Sequence, residues 1–322
     1  MALPAVDLVI VHRDQPAAVV ATAERFLAQG VPVRVVVVDN GSAPGALARV
    51  RAELPAEVTL VEAGANTGFG PGANVGFRWF LARDPADWLA VCPHDAVPHP
   101  GCLARLVAEC AARGRAGLAS ADVGDGLTPV VDRYFGAIPA PAVVADGWEP
   151  AGYPHGTLMI ARRRCLEEVG LFDERYFAYC EEAELALRAK AAGWQVGVVR
   201  GAEVRNGHVG NRAAVVDYLQ LRNTLLMVRE HSGRYHATIR LLIALWDLAQ
   251  GAVVPAARGP YWAPRARVLA VAHHLRRRYG PPPPGLFGSP GPEPEPGRGP
   301  RPAPRSMRPA SAAATAGRTR SR

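Results

Sequence analysis

Over the first 120 residues, short runs of Val, Ile and Leu alternate with alanine-rich stretches of helical period. The runs VDLVIV (6–11), VRVVVVD (33–39), VTLVEA (58–63), DWLAVC (87–92) and AGLAS (116–120) are almost continuously apolar rather than alternating. A strand that is apolar on both faces is covered on both, which predicts a parallel sheet flanked by helices. Polar residues gather directly after these runs, at His12-Arg13-Asp14, Asp39-Asn40-Gly41-Ser42, Asn66-Thr67-Gly68 and His94-Asp95. In an open α/β sheet those are the carboxyl ends of strands, where ligands bind.

The rest of the chain is less regular. From about 121 to 155 Pro and Gly are frequent and no period dominates, after which GTLMIARR (156–163) reads as a strand. Helical patterns follow at 181–193, 211–231 and 236–256. The last contains Arg240 and Asp247 among its leucines, which suits a packed or interfacial helix better than a membrane span. Beyond Gly280 a Pro- and Arg-rich run cannot form regular hydrogen-bonded structure and is expected to be disordered. The expected organisation is a Rossmann-like α/β domain over 1–232, a helical segment over 233–279 suited to peripheral contact with a membrane, and a tail over 280–322.

Charge changes this picture little. The net charge is +8, yet residues 258–322 carry 13 Arg against two Glu, while the remainder holds 24 basic and 27 acidic groups. The folded part is mildly acidic, and the basic tail lacks the interleaved aromatics that stack on bases. Nucleic acid is therefore not an expected partner; solvation or attraction to anionic lipid is. Five cysteines with no CxxC pair argue against a disulfide framework and a zinc cage. With no basic-then-apolar segment ahead of Val6, a cytoplasmic protein is expected.

Five segments carry candidate chemistry. VVVVDNGS (35–42) delivers Asp39 and Asn40 to a turn, where they can bind a base or ribose or simply cap the next helix. NTGFGPGANVGF (66–77) places glycines before a helix expected to begin near Gly72, a turn able to offer backbone N–H groups to phosphate. It matches GxGxxA, but it follows the third strand and Asp39 lies upstream, which argues against a nicotinamide enzyme. VCPHDAVPHPG (91–101) runs a strand into His94-Asp95, where the carboxylate can hold a divalent cation against a diphosphate or cap the helix near Pro100. GLFDERYFAYCEEAELALR (170–188) runs through four aromatics into Glu181, Glu182 and Glu184 at a helix start, where the dipole favours acids and Glu184 has Arg188 one turn on. VRNGHVGN (204–211) puts His208 in a short Gly-containing loop.

In this order the segments resemble the family 2 glycosyltransferases of the GT-A type, in particular rhamnosyl- and galactofuranosyl-transferase-like members, over roughly residues 6–230. The most specific match is GLFDERYFAYCEEAELALRAKAAGW, with its FDE, aromatic pair, acidic doublet, third acid and AGW. The resemblance implies transfer of a sugar from a UDP- or dTDP-sugar to a hydroxyl of a glycan or lipid-linked acceptor, with inversion, in cell-surface polysaccharide synthesis. It implies that Asp39 and Asn40 contact the nucleoside and that Asn66, Gly68, Gly70, Gly72 and Asn74 line the donor pocket. Asp95 and His208 would bind Mg²⁺ or Mn²⁺, Glu182 would be the catalytic base, and Glu181, Glu184 and Tyr179 would shape the acceptor side.

Two positions depart from the family pattern. Pro93 stands where the first acid of Asp-x-Asp belongs, which thins the metal site, and Glu182 stands where Asp is commoner. The first departure keeps open a non-catalytic paralogue that binds a nucleotide-sugar or glycan without turnover.

Overall fold

The computed structural model describes residues 3–206 and 213–287. His208 and the tail from residue 288 onward lie outside the described residues. In chain order the first half is β1 (Val6–His12), α1 (Pro16–Leu27), β2 (Val33–Asp39), α2 (Pro44–Glu53), β3 (Thr59–Glu62), α3 (Phe69–Leu81), β4 (Trp88–Pro93), β5 (Ala96–Pro98), α4 (Cys102–Ala111) and β6 (Ala116–Asp122). The second half is β7 (Leu127–Asp132), β8 (Gly136–Pro141), β9 (Gly147–Pro150), β10 (Met159–Arg162), α5 (Arg163–Val169), α6 (Glu181–Ala191), β11 (Gln195–Asn206), α7 (Ala213–His231), α8 (Gly233–Val253), α9 (Pro264–Leu275) and α10 (Pro284–Phe287).

The central sheet runs β3-β2-β1-β4-β10-β6-β11-β5, with β9 also paired to β11. Strands β3, β2, β1 and β4 are mutually parallel, β6 is parallel to β11, and β10 lies antiparallel between β4 and β6. The continuous apolar runs have the cause expected of them. Val6, Leu8 and Ile10 of β1 pack with Phe26, Leu103 and Leu106 on one face, whereas Val9 and Val11 pack with Phe77, Phe80 and Leu185 on the other. Each strand thus serves two cores, one under α1 and α4 and one under α3 and α6. At roughly 1.5–3 kcal/mol per fully buried large apolar side chain, these two layers are the main force holding the sheet.

The poorly patterned stretch contains three strands. β7 and β8 form an antiparallel hairpin beside the main sheet, and β9 is an edge strand on β11. Pro129, Pro139 and Pro141 are tolerated because these strands are short and paired on one side only. At the other end, α7 packs against α8 and α9 through Val215, Tyr218, Leu225, Ala244 and Ala270, a third core that also takes in Phe177. Within the stretch read as irregular, Gly280 N–H donates to Arg175 O at 2.7 Å and Pro284–Phe287 form one helical turn beside α7. No helix among the described residues is long and apolar enough to cross a membrane. All five cysteines are free, four of them buried.

Candidate active site

Parallel register brings the polar strand ends together. His12 pairs with Asp39 across β1 and β2, and Val11 pairs with Pro93 across β1 and β4, so His12, Asp39 and His94-Asp95 end at one level. This is where the strand order reverses direction from β1, the position at which open α/β sheets bind ligands. Asp39 is buried; its Oδ2 accepts from Ser42 N–H at 3.1 Å, while its Oδ1 is buried with no hydrogen-bond partner. His12 Nε2 approaches that Oδ1 at 3.9 Å, but burial first and His94 second pull the His12 pKa down to about 4. His12 is therefore neutral near pH 7, and the approach is not an ion pair. Its Nδ1 is also unpartnered. Arg13 is exposed and reaches Gly41 O at 3.4 Å.

The glycine-rich loop closes on the protein itself. Helix α3 begins at Phe69, one turn earlier than its sequence suggests. Gly68 has φ 99°, and a Cβ there would collide with the Phe177 carbonyl. A Cβ at Gly70 would meet Glu181 Cγ at 3.2 Å, and one at Gly72 would meet Val11 at 3.1 Å and Asn40 Nδ2 at 3.2 Å. Asn40 donates to Gly68 O at 2.8 Å and accepts from Thr67 N–H at 3.0 Å and Thr67 Oγ1 at 2.8 Å. Asn66 Oδ1 accepts from Gly68 N–H at 3.2 Å. Asn74 is fully buried; it donates to Phe172 O at 2.9 Å and Glu174 Oε1 at 3.2 Å and accepts from Phe172 N–H at 3.0 Å. Gly68, Gly70 and Asn74 join the glycine-rich loop and α3 to the 172–181 segment, whereas Asn40 ties that loop to the end of β2 and Asn66 braces it locally.

That segment is strained. Phe177, Tyr179 and Cys180 have φ of 65°, 68° and 70°, a region costly for residues with a Cβ. Such a shape persists only if its surroundings over-determine it, and here α7 does so. Asn223 Nδ2 lies 2.8 Å from each of the carbonyls of Tyr176, Ala178 and Tyr179, and Arg222 holds the Asn223 Oδ1 through Nε and Nη2. Both residues are fully buried. The sequence reading does not single them out, although an Arg-Asn pair inside the apolar run LQLRNTLLMV is a signal that it could have used.

The strained loop delivers three glutamates with three different environments. Glu184 is buried; burial pushes its pKa up, but hydrogen bonds from His231 at 3.3 Å and Arg188 at 2.7 Å outweigh that and hold it below the usual range. Since Arg188 also ties the carbonyls of Val169 and Leu171, Glu184 anchors the loop before α6. Glu181 is buried with Oε2 unpartnered, and burial first, then the neighbouring Glu182 charge, hold it well above the carboxylate range. Glu182 is half-buried, and loss of solvent pushes its pKa up to about 7. Its Oε1 lies over Gly156, where a Cβ would collide with it, and its charge reaches the Tyr153 hydroxyl.

Tyr153 and His155 continue from Glu182 into a cavity of about 230 Å³ that Asp122, Asp125 and Arg200 also line. A second cavity of about 250 Å³, lined by Asp87, Arg115, Arg162 and Trp194, lies at the opposite, amino-terminal edge of the strands, away from these carboxylates. Asp95 sits half-buried in the turn between β4 and β5. Among the described residues no three His, Cys, Asp or Glu side chains gather as a ligand set.

The sequence model of the family described as "Glycosyltransferase like family 2" matches residues 4–224. The chain belongs to that family. It is therefore a glycosyltransferase, and the sheet described above is a GT-A type fold. The chain is 28% identical over 259 residues to the N-acetylglucosaminyl-diphospho-decaprenol L-rhamnosyltransferase of Mycobacterium tuberculosis, covering 67% of this chain and 83% of that protein. It is 22% identical over 247 residues to the low-salt glycan biosynthesis hexosyltransferase Agl10 of Haloferax volcanii, covering 70% and 78%. In fold it is similar to the mannosyltransferase PcManGT from Pyrobaculum calidifontis, solved with GDP-Man and Mn²⁺, at TM-score 0.59 and 18% identity over 86% of this chain and 88% of that one.

Proposed function

We propose that this glycosyltransferase moves a hexosyl or deoxyhexosyl unit from a UDP- or dTDP-sugar to a hydroxyl of a lipid-linked or glycan acceptor, with inversion, and that Glu182 is the base. The observation that carries this reading is the pair Glu181–Glu182. One carboxyl is buried, unpartnered and held well above the carboxylate range, while the other is partly accessible and pushed up to about 7, where a general base works best near neutral pH. The rhamnosyltransferase relative acts on a diphospho-decaprenol acceptor, which supports the acceptor class.

Each residue then has a task. The unpartnered Asp39 Oδ1 accepts a hydrogen bond from the base or ribose of the donor. Asn66 and Gly68 fix the rim of the donor pocket, whereas Asn40 and Asn74 hold its walls instead of touching the donor. Asp95, with His208, would hold a magnesium or manganese ion, a single strand-end carboxylate fitting one place in an oxygen-rich shell. When bound, that cation neutralises charge growing on the departing diphosphate. Glu182 takes the proton from the acceptor hydroxyl as its oxygen bonds to the anomeric carbon, the bond from that carbon to the diphosphate oxygen breaks, and the nucleoside diphosphate leaves with the electron pair. The cavity lined by Tyr153 and His155 receives the acceptor sugar beside Glu182.

The test is the anomeric configuration of the product, read by proton NMR from a donor of known configuration. Inversion is expected. Retention would rule out single displacement with Glu182 as base.

A further inference from the structure

The outward face of α8 inverts the usual pattern of a surface helix. Its solvent-facing stripe carries Tyr235, Leu242, Leu245, Trp246 and Val253. These positions recur at three, four and seven residues and so share one face, about 27 Å long. Trp246 is 66% exposed and Val253 81%. The helix's one internal cation turns the other way: Arg240 lies on the inner side, with the partly exposed Asp247 4.0 Å from it. An ordinary amphipathic helix puts these classes on opposite sides from those seen here.

The surroundings extend the stripe. On α9, Val268 and Leu275 are exposed between Arg265 and Arg276. Tyr134 packs its ring 4.9 Å from His236, which brings the β7–β8 turn, with Phe135 51% exposed, to the start of α8. Arginines frame the patch: Arg234 and Arg258 are exposed at the two ends of α8, and Arg276, Arg277 and Arg278 are exposed after α9. Asp247, its side chain 44% exposed, is the single acid in the sequence between residues 233 and 286. The chain from 258 onward adds to this excess, with 13 Arg against two Glu.

We propose that this face lies on an anionic phospholipid surface, its apolar stripe in the acyl boundary and its framing arginines on lipid phosphates. An apolar face edged by cations matches the layered chemistry of such a surface. A second copy of the chain does not, since a two-fold contact would set the same arginines against each other. The inference builds on the reading of a lipid-linked acceptor. Helix α8 packs on α7, whose Asn223 holds the carbonyls of the strained loop before Glu182, which ties this face to the site.

The test is flotation of the full chain with vesicles of phosphatidylcholine alone or mixed with phosphatidylglycerol, beside the double variant Leu242→Ser, Trp246→Ser. Both side chains are exposed, so circular dichroism of the variant should match the parent. The parent is expected to float with the mixed vesicles, less at high salt, and the variant to lose about tenfold of that binding. Flotation of the variant equal to the parent would assign the attraction to arginines alone and overturn the proposal, as would no flotation of the parent. A parent that is dimeric by light scattering and made monomeric by the same pair would overturn it too. Transfer to a lipid-linked acceptor in detergent without flotation would overturn this surface alone; flotation without such transfer would support the surface and overturn the acceptor reading.

Discussion

Replacing Glu182 with Gln should damage catalysis and stabilise the fold, and the two effects have one cause. The carboxyl has a pKa of 4.5 when solvated and about 7 in the folded chain, because burial disfavours its charge. The folded state therefore binds this proton more tightly than the unfolded state. Its contribution to stability is fully present below 4.5 and is lost as pH rises through about 7. A shift of that size corresponds to about 3 kcal/mol, an upper bound because Glu182 is only half-buried. Gln keeps the shape without the charge, so at pH 8 Glu182→Gln should melt several degrees above the parent, at about 2–4 °C per kcal/mol for a domain of this size. At pH 4 the two should melt together. Activity should fall about 10²- to 10⁴-fold, the usual share of a positioned base, and the parent's kcat/KM should rise about tenfold per pH unit below pH 7 and level off above it. Calorimetric melts at both pH values, paired with a pH–rate profile, check this. A variant less stable than the parent at pH 8, or a gain that persists at pH 4, would refute the buried-charge argument.

Other positions give sharper local tests. Asn223→Ala removes the clamp on the carbonyls of Tyr176, Ala178 and Tyr179 and should cost about 1–3 kcal/mol. It should also lower kcat more than donor affinity, and an unchanged kcat in kinetics beside titration calorimetry would mean that the loop keeps its shape unaided. Gly68→Ala puts a methyl group against the Phe177 carbonyl at φ 99°, so melts should show a loss of about 1–3 kcal/mol with weakened nucleotide binding. Arg240 is largely buried with Nε and Nη1 unpartnered, and burial pulls its pKa down. Arg240→Met should leave stability equal or up to about 2 kcal/mol higher by thermal melting, and a clear loss would contradict the reading that Asp247, 4.0 Å away and partly exposed, does not offset the cost of burying the charge.

The parallel half of the sheet is legible in the sequence because β1, β2 and β4 serve a core on each face, which forces continuous apolar runs. β7, β8 and β9 are not, since half-buried strands with Pro129, Pro139 and Pro141 carry neither alternation nor a continuous run. Helix α9 falls inside the segment expected to be helical, but its own bounds are not legible because its exposed positions include Val268 and Leu275, which blurs the helical period. At the candidate site, Asp39, Glu181 and Glu182 stand out in the sequence by their positions at a strand end and a helix start. The glycine loop is found for another reason than its role: its glycines make room for Phe177, Glu181, Val11 and Asn40. The asparagines cannot be assigned from sequence, since a donor contact and a loop latch ask for the same amide. Tyr153, His155 and Asn223 reach the site only through tertiary contacts.

The central claim is that Glu182 drives acceptor-dependent cleavage of a nucleotide-sugar. Its most direct test is to incubate parent and Glu182→Gln with UDP-, dTDP- and GDP-sugars, a divalent cation and a diphospho-lipid acceptor, and to follow nucleoside diphosphate by mass spectrometry. The account predicts release by the parent from a UDP- or dTDP-sugar only when acceptor is present, and almost none by the variant although it still binds the donor. Equal release by both proteins, or donor binding by the parent without any release, would contradict it.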